Sequence, residues 1–327
     1  MLALPRMSWR HGVTLLATAL GLALGAPAQA AYPDHPIRVI IPFNAGSGSD
    51  NVARKLTGMV AEAKGWTFII DNRPGASGTI AARAAAEAPA DGYTIFYTGN
   101  TTHGANSALF KQLPYDPLRD FQPILRVGVF PLVLLTRPSL EVDSVDGLLQ
   151  RMRQATTPLN FAEGSAGPRV AAERFLHEAK VKANHVPYKS SPQALTDLIG
   201  GHVDFMFLDT VAALPMVENG TLRALALTSR QPIARLPNVK TMDVLGFPGF
   251  EVQNWSALFV PDGTPSDVVQ TLHAAFADAV RSADWQAFVA KLGAYADVLT
   301  PAQTADWVAA EIRQYQEVLA RAGVVPE

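Results

Sequence analysis

Two short stretches of this sequence have the composition of an anion site. The first is Phe43-Asn44-Ala45-Gly46-Ser47-Gly48-Ser49-Asp50. It follows a strand-like segment and opens a helix-like one, and its small residues let the backbone approach a ligand closely. Amides at a helix start have no intrahelical acceptor and sit at the positive end of the helix dipole, so they attract a carboxylate or phosphate. The second stretch, Glu163-Gly164-Ser165-Ala166-Gly167-Pro168-Arg169, stands in the same relation to its neighbours. Arg169 falls on the first helical turn, where a guanidinium could grip a carboxylate through two parallel hydrogen bonds. Each stretch also has a plainer reading. Ser49 or Asp50 could be an ordinary helix N-cap, and Arg169 a solvated surface arginine. Two such loops, facing each other, are worth more than either alone.

Other strand ends add polar groups. Gly99-Asn100-Thr101-Thr102-His103 is rich in hydroxyl and amide donors. Asp209 ends an apolar run, where it could accept an ammonium group or a ligand hydroxyl, or cap the following helix. Lys189, in Pro187-Tyr188-Lys189-Ser190-Ser191, is either a ligand contact or a surface cation. The familiar catalytic constellations are missing. Gly-x-Ser-x-Gly does not occur, Gly46-Ser47-Gly48 lacks the third glycine of a dinucleotide loop, and there is no phosphate-binding P-loop. His177-Glu178 lacks the second histidine of a zinc helix, and histidines 35, 103, 177, 185, 202 and 273 show no metal-ligand spacing. No metal and no cofactor is expected.

Strands and helices alternate around these loops. Ile37–Ile41, Phe68–Ile70 and Tyr93–Tyr97 read as strands, with helices over Asp50–Ala63 and Gly78–Ala88 between them. This βαβαβ order implies a parallel sheet with right-handed crossovers. The pattern restarts with strands at Leu159–Ala162, His185–Tyr188, Val203–Leu208 and Leu222–Thr228. Helices are expected at Pro168–Ala179, Gln193–Ile199 and Val211–Val217, then a strand at Trp255–Val260 and a helical tail over Pro265–Arg281, Trp285–Leu292 and Pro301–Ala322. Two α/β lobes result: lobe 1 from residues 31–134 plus 250–327, and lobe 2 from 135–249. Arg126–Arg137 and Gly249–Val260 would cross between them as a hinge, and a ligand would sit in the cleft at the carboxyl ends of the strands.

The chain has 327 residues, of which 48% are hydrophobic and 17% charged, enough apolar material for full cores and too little charge for a disordered or nucleic-acid-binding chain. Residues 1–30 contain no acid. Arg6, Arg10 and His11 precede the apolar stretch Val13–Leu24, and Ala28-Gln29-Ala30 has the small-x-small pattern of a signal-peptidase site. The stretch is too short to span a bilayer, which takes about 20 residues. An exported protein cleaved after Ala30 is expected, carrying 25 basic and 29 acidic residues in the remaining 297. With no cysteine it needs no disulfide and has no cysteine for a lipid anchor.

Read in order, further motifs carry a resemblance. They are Tyr32-Pro33…Pro36-Ile37-Arg38, Ile41-Pro42-Phe43…Ala45-Gly46…Asp50…Ala53-Arg54, Asn72-Arg73-Pro74-Gly75-Ala76…Gly78, Asp91-Gly92-Tyr93-Thr94 and Leu113-Pro114-Tyr115-Asp116-Pro117…Asp120-Phe121…Pro123. Downstream come His185-Val186-Pro187-Tyr188-Lys189, Asp197-Leu198-Ile199-Gly200-Gly201…Val203-Asp204, Leu222-Arg223-Ala224-Leu225-Ala226, Gly263-Thr264-Pro265 and Thr300-Pro301. Over nearly all of residues 31–327 the chain resembles the periplasmic receptors of tripartite tricarboxylate transporters, the Bug receptors. The resemblance implies a two-lobed Venus-flytrap fold, without a cofactor or a reaction, that captures a small carboxylate and delivers it to a two-component membrane permease. It places the ligand against Phe43, Asn44, Ala45, Gly46, Ser47, Gly48, Ser49 and Asp50, and against Gly164, Ser165, Ala166 and Arg169. Ser77, Asn100, Thr101, Thr102 and Asp209 complete the expected set.

The chain departs from the family pattern where ligand identity is set. Ser47 stands where a second glycine is frequent, Ser190 stands where glycine often follows the lysine, and the Gly164–Pro168 stretch is short. The ligand class therefore stays broad: a dicarboxylate, tricarboxylate, acidic amino acid or aromatic acid. A monomer is the expected state. Two other functions are compatible with the residues: a receptor whose closed form signals to a sensor kinase, and a hydrolase on the same scaffold, against which the missing nucleophile motifs count.

Overall fold

The computed structural model describes residues 32–321 and 323–326. The export signal read over residues 1–30 lies outside them. The chain divides into a short unit ending at Asp34, whose described residues 32–34 form no strand or helix, and a unit spanning His35–Glu327 that holds every element named below. Among the described residues no helix is long and apolar enough to cross a membrane.

The first half is built on β1 (Ile37–Ile41), β2 (Phe68–Asn72) and β3 (Thr94–Gly99). β1 pairs in parallel with both of the others. All of β3 is buried and only Arg38 of β1 is not fully so, the continuous apolar pattern of a strand covered on both faces. Helix α1 (Gly48–Lys64) covers this sheet with Val52, Ala53, Leu56 and Val60, and ends at Gly65 in the left-handed conformation. Its N-cap is Ser47, whose hydroxyl accepts from the Asp50 amide, so neither Ser49 nor Asp50 is the cap. Helix α2 (Thr79–Ala86) leads back to β3. An irregular turn at Thr101–Ala105 and the short α3 (Asn106–Leu109) then follow.

β4 (Phe121–Thr136) is sixteen residues long and joins the two halves of the sheet. From Phe121 to Pro131 it pairs with β9 (Gln253–Pro261); from Leu132 to Thr136 it pairs with β7 (Phe205–Asp209), and from Val133 to Thr136 with β8 (Arg223–Leu227). The order is β2-β1-β3-β9-β4-β7-β5-β6, with β8 beside β4. β5 (Leu159–Glu163) is parallel to β6 (Ala183–Pro187) and β7. β9 is antiparallel to both β3 and β4, so the sheet is mixed rather than wholly parallel. Apolar runs report burial but not strand direction, which is why the sequence pattern missed this.

Successive residues of β4 point to opposite faces, and the cores follow. Leu132 and Leu134 enter a cluster with Phe161, Phe175, Phe205 and Phe207, whereas Val133 and Leu135 join Met206, Leu208 and Leu227 on the other side. Helices α4 (Val145–Gln154), α5 (Ala166–Ala179), α6 (Ser191–Gly200) and α7 (Thr210–Glu218) flank this second half. Helices α8 (Ser266–Arg281), α9 (Ala283–Lys291) and α10 (Pro301–Arg321) form the tail, and α8 and α10 pack on β4. α4 was not anticipated from the sequence, although Ser144 caps it by accepting from the Gly147 amide.

A third core, in the first half, holds Phe96, Phe121 and Phe259, and a histidine packs among them. His103 is fully buried, stacked on Phe259 with ring centroids 4.0 Å apart, and its Nδ1 lies 3.0 Å from the Thr102 hydroxyl. Burial pushes its pKa down from 6.5 to about 3, so the ring stays neutral in the fold while the unfolded chain takes up a proton below 6.5. Its contribution is therefore fully present above pH 6.5 and is lost as the pH falls toward 3, at about 1.4 kcal/mol per pH unit. Urea unfolding from pH 7 to pH 4.5 should show a steeper loss of stability for the wild type than for His103→Asn. Parallel profiles would show that this histidine is not held neutral.

Candidate functional site

The loop after β1 is held from beneath by Asp50. Its carboxylate accepts from the Gly46 amide at 2.9 Å, from Arg54 Nε at 3.0 Å and from Asn72 Nδ2 at 3.0 Å. The Asn72 amide group also donates to the Phe43 carbonyl at 3.0 Å. Burial alone would raise the pKa of Asp50, but its bonds to Arg54, Gly46 and Asn72 outweigh that and keep the carboxyl below its ordinary value. Asp50 thus shapes the loop from inside. Gly46 takes a left-handed turn with φ 82°, and Ala45 and Gly46 are exposed at the rim while Ser47 and Gly48 are buried. The amides of Gly48 and Ser49 stand in the first turn of α1, where a helix offers no acceptor of its own.

Asp209 comes from the opposite half and meets this loop. It is the N-cap of α7 and accepts from the Ala212 amide at 3.1 Å, the capping role left open by the sequence. Burial pushes its pKa up. The contact is close enough that a Cβ on Gly48 would lie 2.6 Å from Asp209 Oδ1. A side chain at position 48 would force the Asp209 carboxylate, or the loop, to shift.

The loop after β5 is fitted as tightly. Ser165 is the extended N-cap residue of α5, and its side chain makes no capping bond. Instead, the Ala166 amide donates to Thr101 Oγ1 at 3.3 Å, across the two halves. A Cβ on Gly164 would fall 2.1 Å from the Ser191 amide nitrogen; one on Gly167 would fall 2.1 Å from Asn254 Oδ1 and 2.2 Å from Asn100 Nδ2. Those two asparagines form a pair, with Asn100 Nδ2 donating to Asn254 Oδ1 at 3.0 Å and to the Tyr315 hydroxyl at 3.1 Å. Arg169 lies on the first turn of α5, partly exposed.

The structure therefore sets the Phe43–Asp50 loop, through Gly48, against Asp209, and sets Asn100 and Thr101 against the loop that starts at Gly164, through Ala166 and Gly167; these two contacts make up the meeting line of strand ends. Thr102 stands behind it. Its hydroxyl is 2.6 Å from that of Thr98 and it has no exposed surface. Ser77 is exposed on its own turn, where its carbonyl accepts from Asn106 Nδ2 at 2.9 Å, and the next residue, Gly78, packs against the Thr102 methyl group. Asn72, Asn254 and Tyr315 were missed by sequence reasoning. Asn72 lay inside a recognised motif and could have been found there; Asn254 and Tyr315 carry no local signal, because their roles arise only when β9 and α10 fold back onto β3.

Comparison with known proteins gives the family and the fold. Residues 52–324 match the family described as the tripartite tricarboxylate transporter family receptor. Protein BugT of Bordetella pertussis is 34% identical over 92% of this chain and 93% of its own. Among solved structures, an R. palustris protein with adipate superposes with a TM-score of 0.88 at 31% identity, covering 90% of this chain and 100% of that one. MatC from Rhodopseudomonas palustris, with bound malate, gives a TM-score of 0.83 at 32% identity over 88% of this chain and 100% of that one. The periplasmic binding protein BugD gives 0.86 at 29% identity, covering 90% and 100%. The chain has the two-lobed periplasmic-binding-protein fold and belongs to the tripartite tricarboxylate transporter receptor family.

Proposed function

We propose that this protein is a periplasmic solute-binding receptor that captures a small dicarboxylate between its lobes and delivers it to a two-component membrane permease. The observation that carries the reading is that two helix starts each meet a strand end of the other half: that of α1 meets Asp209 at Gly48, and that of α5 meets Thr101 and the Asn100–Asn254 pair at Ala166 and Gly167. One carboxylate would take the amides of Gly48 and Ser49, where the helix dipole favours negative charge. The other would lie toward the first turn of α5, near Thr101 and Arg169. Adipate and malate in the related structures support a dicarboxylate over a phosphate. In this reading residues 1–30 are removed on export, residues 31–134 with 250–327 form one lobe and 135–249 the other, and the protein works as a monomer. Its work is capture: closure replaces water by fixed dipoles around the ligand and presents the closed surface to the permease.

A thermal-shift screen of residues 31–327, refolded to strip carried ligand, tests this directly. A dicarboxylate at about 100 times its dissociation constant should add about 2.7 kcal/mol of stability. A panel of di- and tricarboxylates, acidic amino acids and aromatic acids that leaves the melting curve unchanged would overturn the assignment.

The closeness of Gly48 to Asp209 gives a sharper test. Gly48→Ala should leave the circular dichroism spectrum and cooperative unfolding intact but weaken binding of the responding dicarboxylate by at least about tenfold in calorimetry, a loss of about 1.4 kcal/mol. Unchanged affinity would show that the two strand ends need not meet when ligand is bound.

A further inference from the structure

A second chamber lies away from the Gly48–Asp209 meeting line. It is a cavity of about 230 Å³ between helix α10 and one face of the β4–β9 ladder. Trp255 and Trp307 wall it, packed edge to face with ring centroids 4.6 Å apart. Tyr295 forms an outer lip, 52% exposed.

The polar groups of this chamber are unevenly satisfied. Arg126 is partly committed: its guanidinium lies 4.5 Å above the Trp307 ring and pairs with Asp297, while its buried Nε has no hydrogen-bond partner among the described residues. Glu311 is less so. Its Oε2 accepts the Trp255 indole N–H at 2.9 Å, which is its hydrogen bond among the described residues, and the cation that acts on it electrostatically is the already paired Arg126. Gln253 donates through Nε2 to Glu251 at 2.9 Å, while its buried Oε1 has no hydrogen-bond partner. Glu251 is already paired with Arg230 at 2.5 Å, so the chamber offers one carboxylate short of a cation in Glu311, an orphan acceptor in Gln253 and electron-rich ring faces. Each of these attracts a hydrogen-bond-donating cation, and a partly buried carboxylate gains most from one.

We propose that the chamber beneath α10 is a second ligand site, selective for a small organic ammonium with an apolar body. The ammonium group would lie between Glu311 and the Gln253 carbonyl oxygen, with the apolar body against Trp307 and Tyr295. The site touches the carboxylate cleft only through Tyr315, which lines the chamber and accepts from Asn100, and it has the opposite charge preference.

Phenethylammonium is a suitable probe, with phenethyl alcohol as its uncharged counterpart. Titration of residues 31–327 should quench tryptophan fluorescence saturably with the amine and at least tenfold more weakly with the alcohol. Glu311→Gln keeps an oxygen to accept from Trp255 and should weaken amine binding about tenfold. Trp307→Leu should weaken it too and remove part of the quench. Asp209→Asn, which alters the cleft's own acid, should leave amine affinity unchanged. Equal affinity for amine and alcohol, unaltered binding in Glu311→Gln, or loss of binding in Asp209→Asn would each overturn the proposal.

Discussion

Close approach of glycine backbone to the strand and helix ends around it is the constraint on which the rest of this structure depends. At Gly48, Gly164 and Gly167 a single added carbon would fall 2.6 Å or less from an atom of another element. At Gly48 and Gly167 that element belongs to the other side of the sheet or to the asparagine pair that joins the sides. Any larger residue must displace the carboxylate, the asparagine pair or the backbone that it meets there. The glycines are therefore placed by steric need at the junction, and not for general flexibility.

That junction is possible because β4 is shared. One strand running through both half-sheets fixes their relative position over sixteen residues, and its alternating side chains seed a different core on each face. The antiparallel β9 lies between β3 and β4, so Asn254 arrives beside Asn100 and the pair reaches Tyr315 of α10. Asp50 and Asn72 do equivalent work under the first loop. In both places a buried polar network holds backbone amides in position and leaves them facing the meeting line. Preorganised donors of this kind spend little free energy on reordering when a ligand arrives.

Much of this could be read from the residues. The β1 and β5 runs, the Gly/Ser loops and the helix starts behind them are local features, and their local chemistry named both candidate loops correctly as strand-to-helix turns. The identity of the cap on α1 was misjudged by two or three positions, because Ser47, Ser49 and Asp50 have the same capping ability and only the position where α1 begins decides between them. Strand direction in β9, the length of β4 and helix α4 were not legible. The first two depend on pairing partners more than a hundred residues apart in places, and α4 lies in a polar stretch whose four buried residues give only a short periodic signal. The neutral His103 and the aromatic chamber under α10 were equally out of reach, since both are made by residues that meet only in the folded chain.

The measurement that bears most directly on the central claim is a crystal structure of residues 31–327 grown with malate. The account predicts one malate carboxylate within hydrogen-bonding distance of the Gly48 and Ser49 amides, and the other directed at the first turn of α5. Malate bound elsewhere, with those amides facing only solvent, would contradict it.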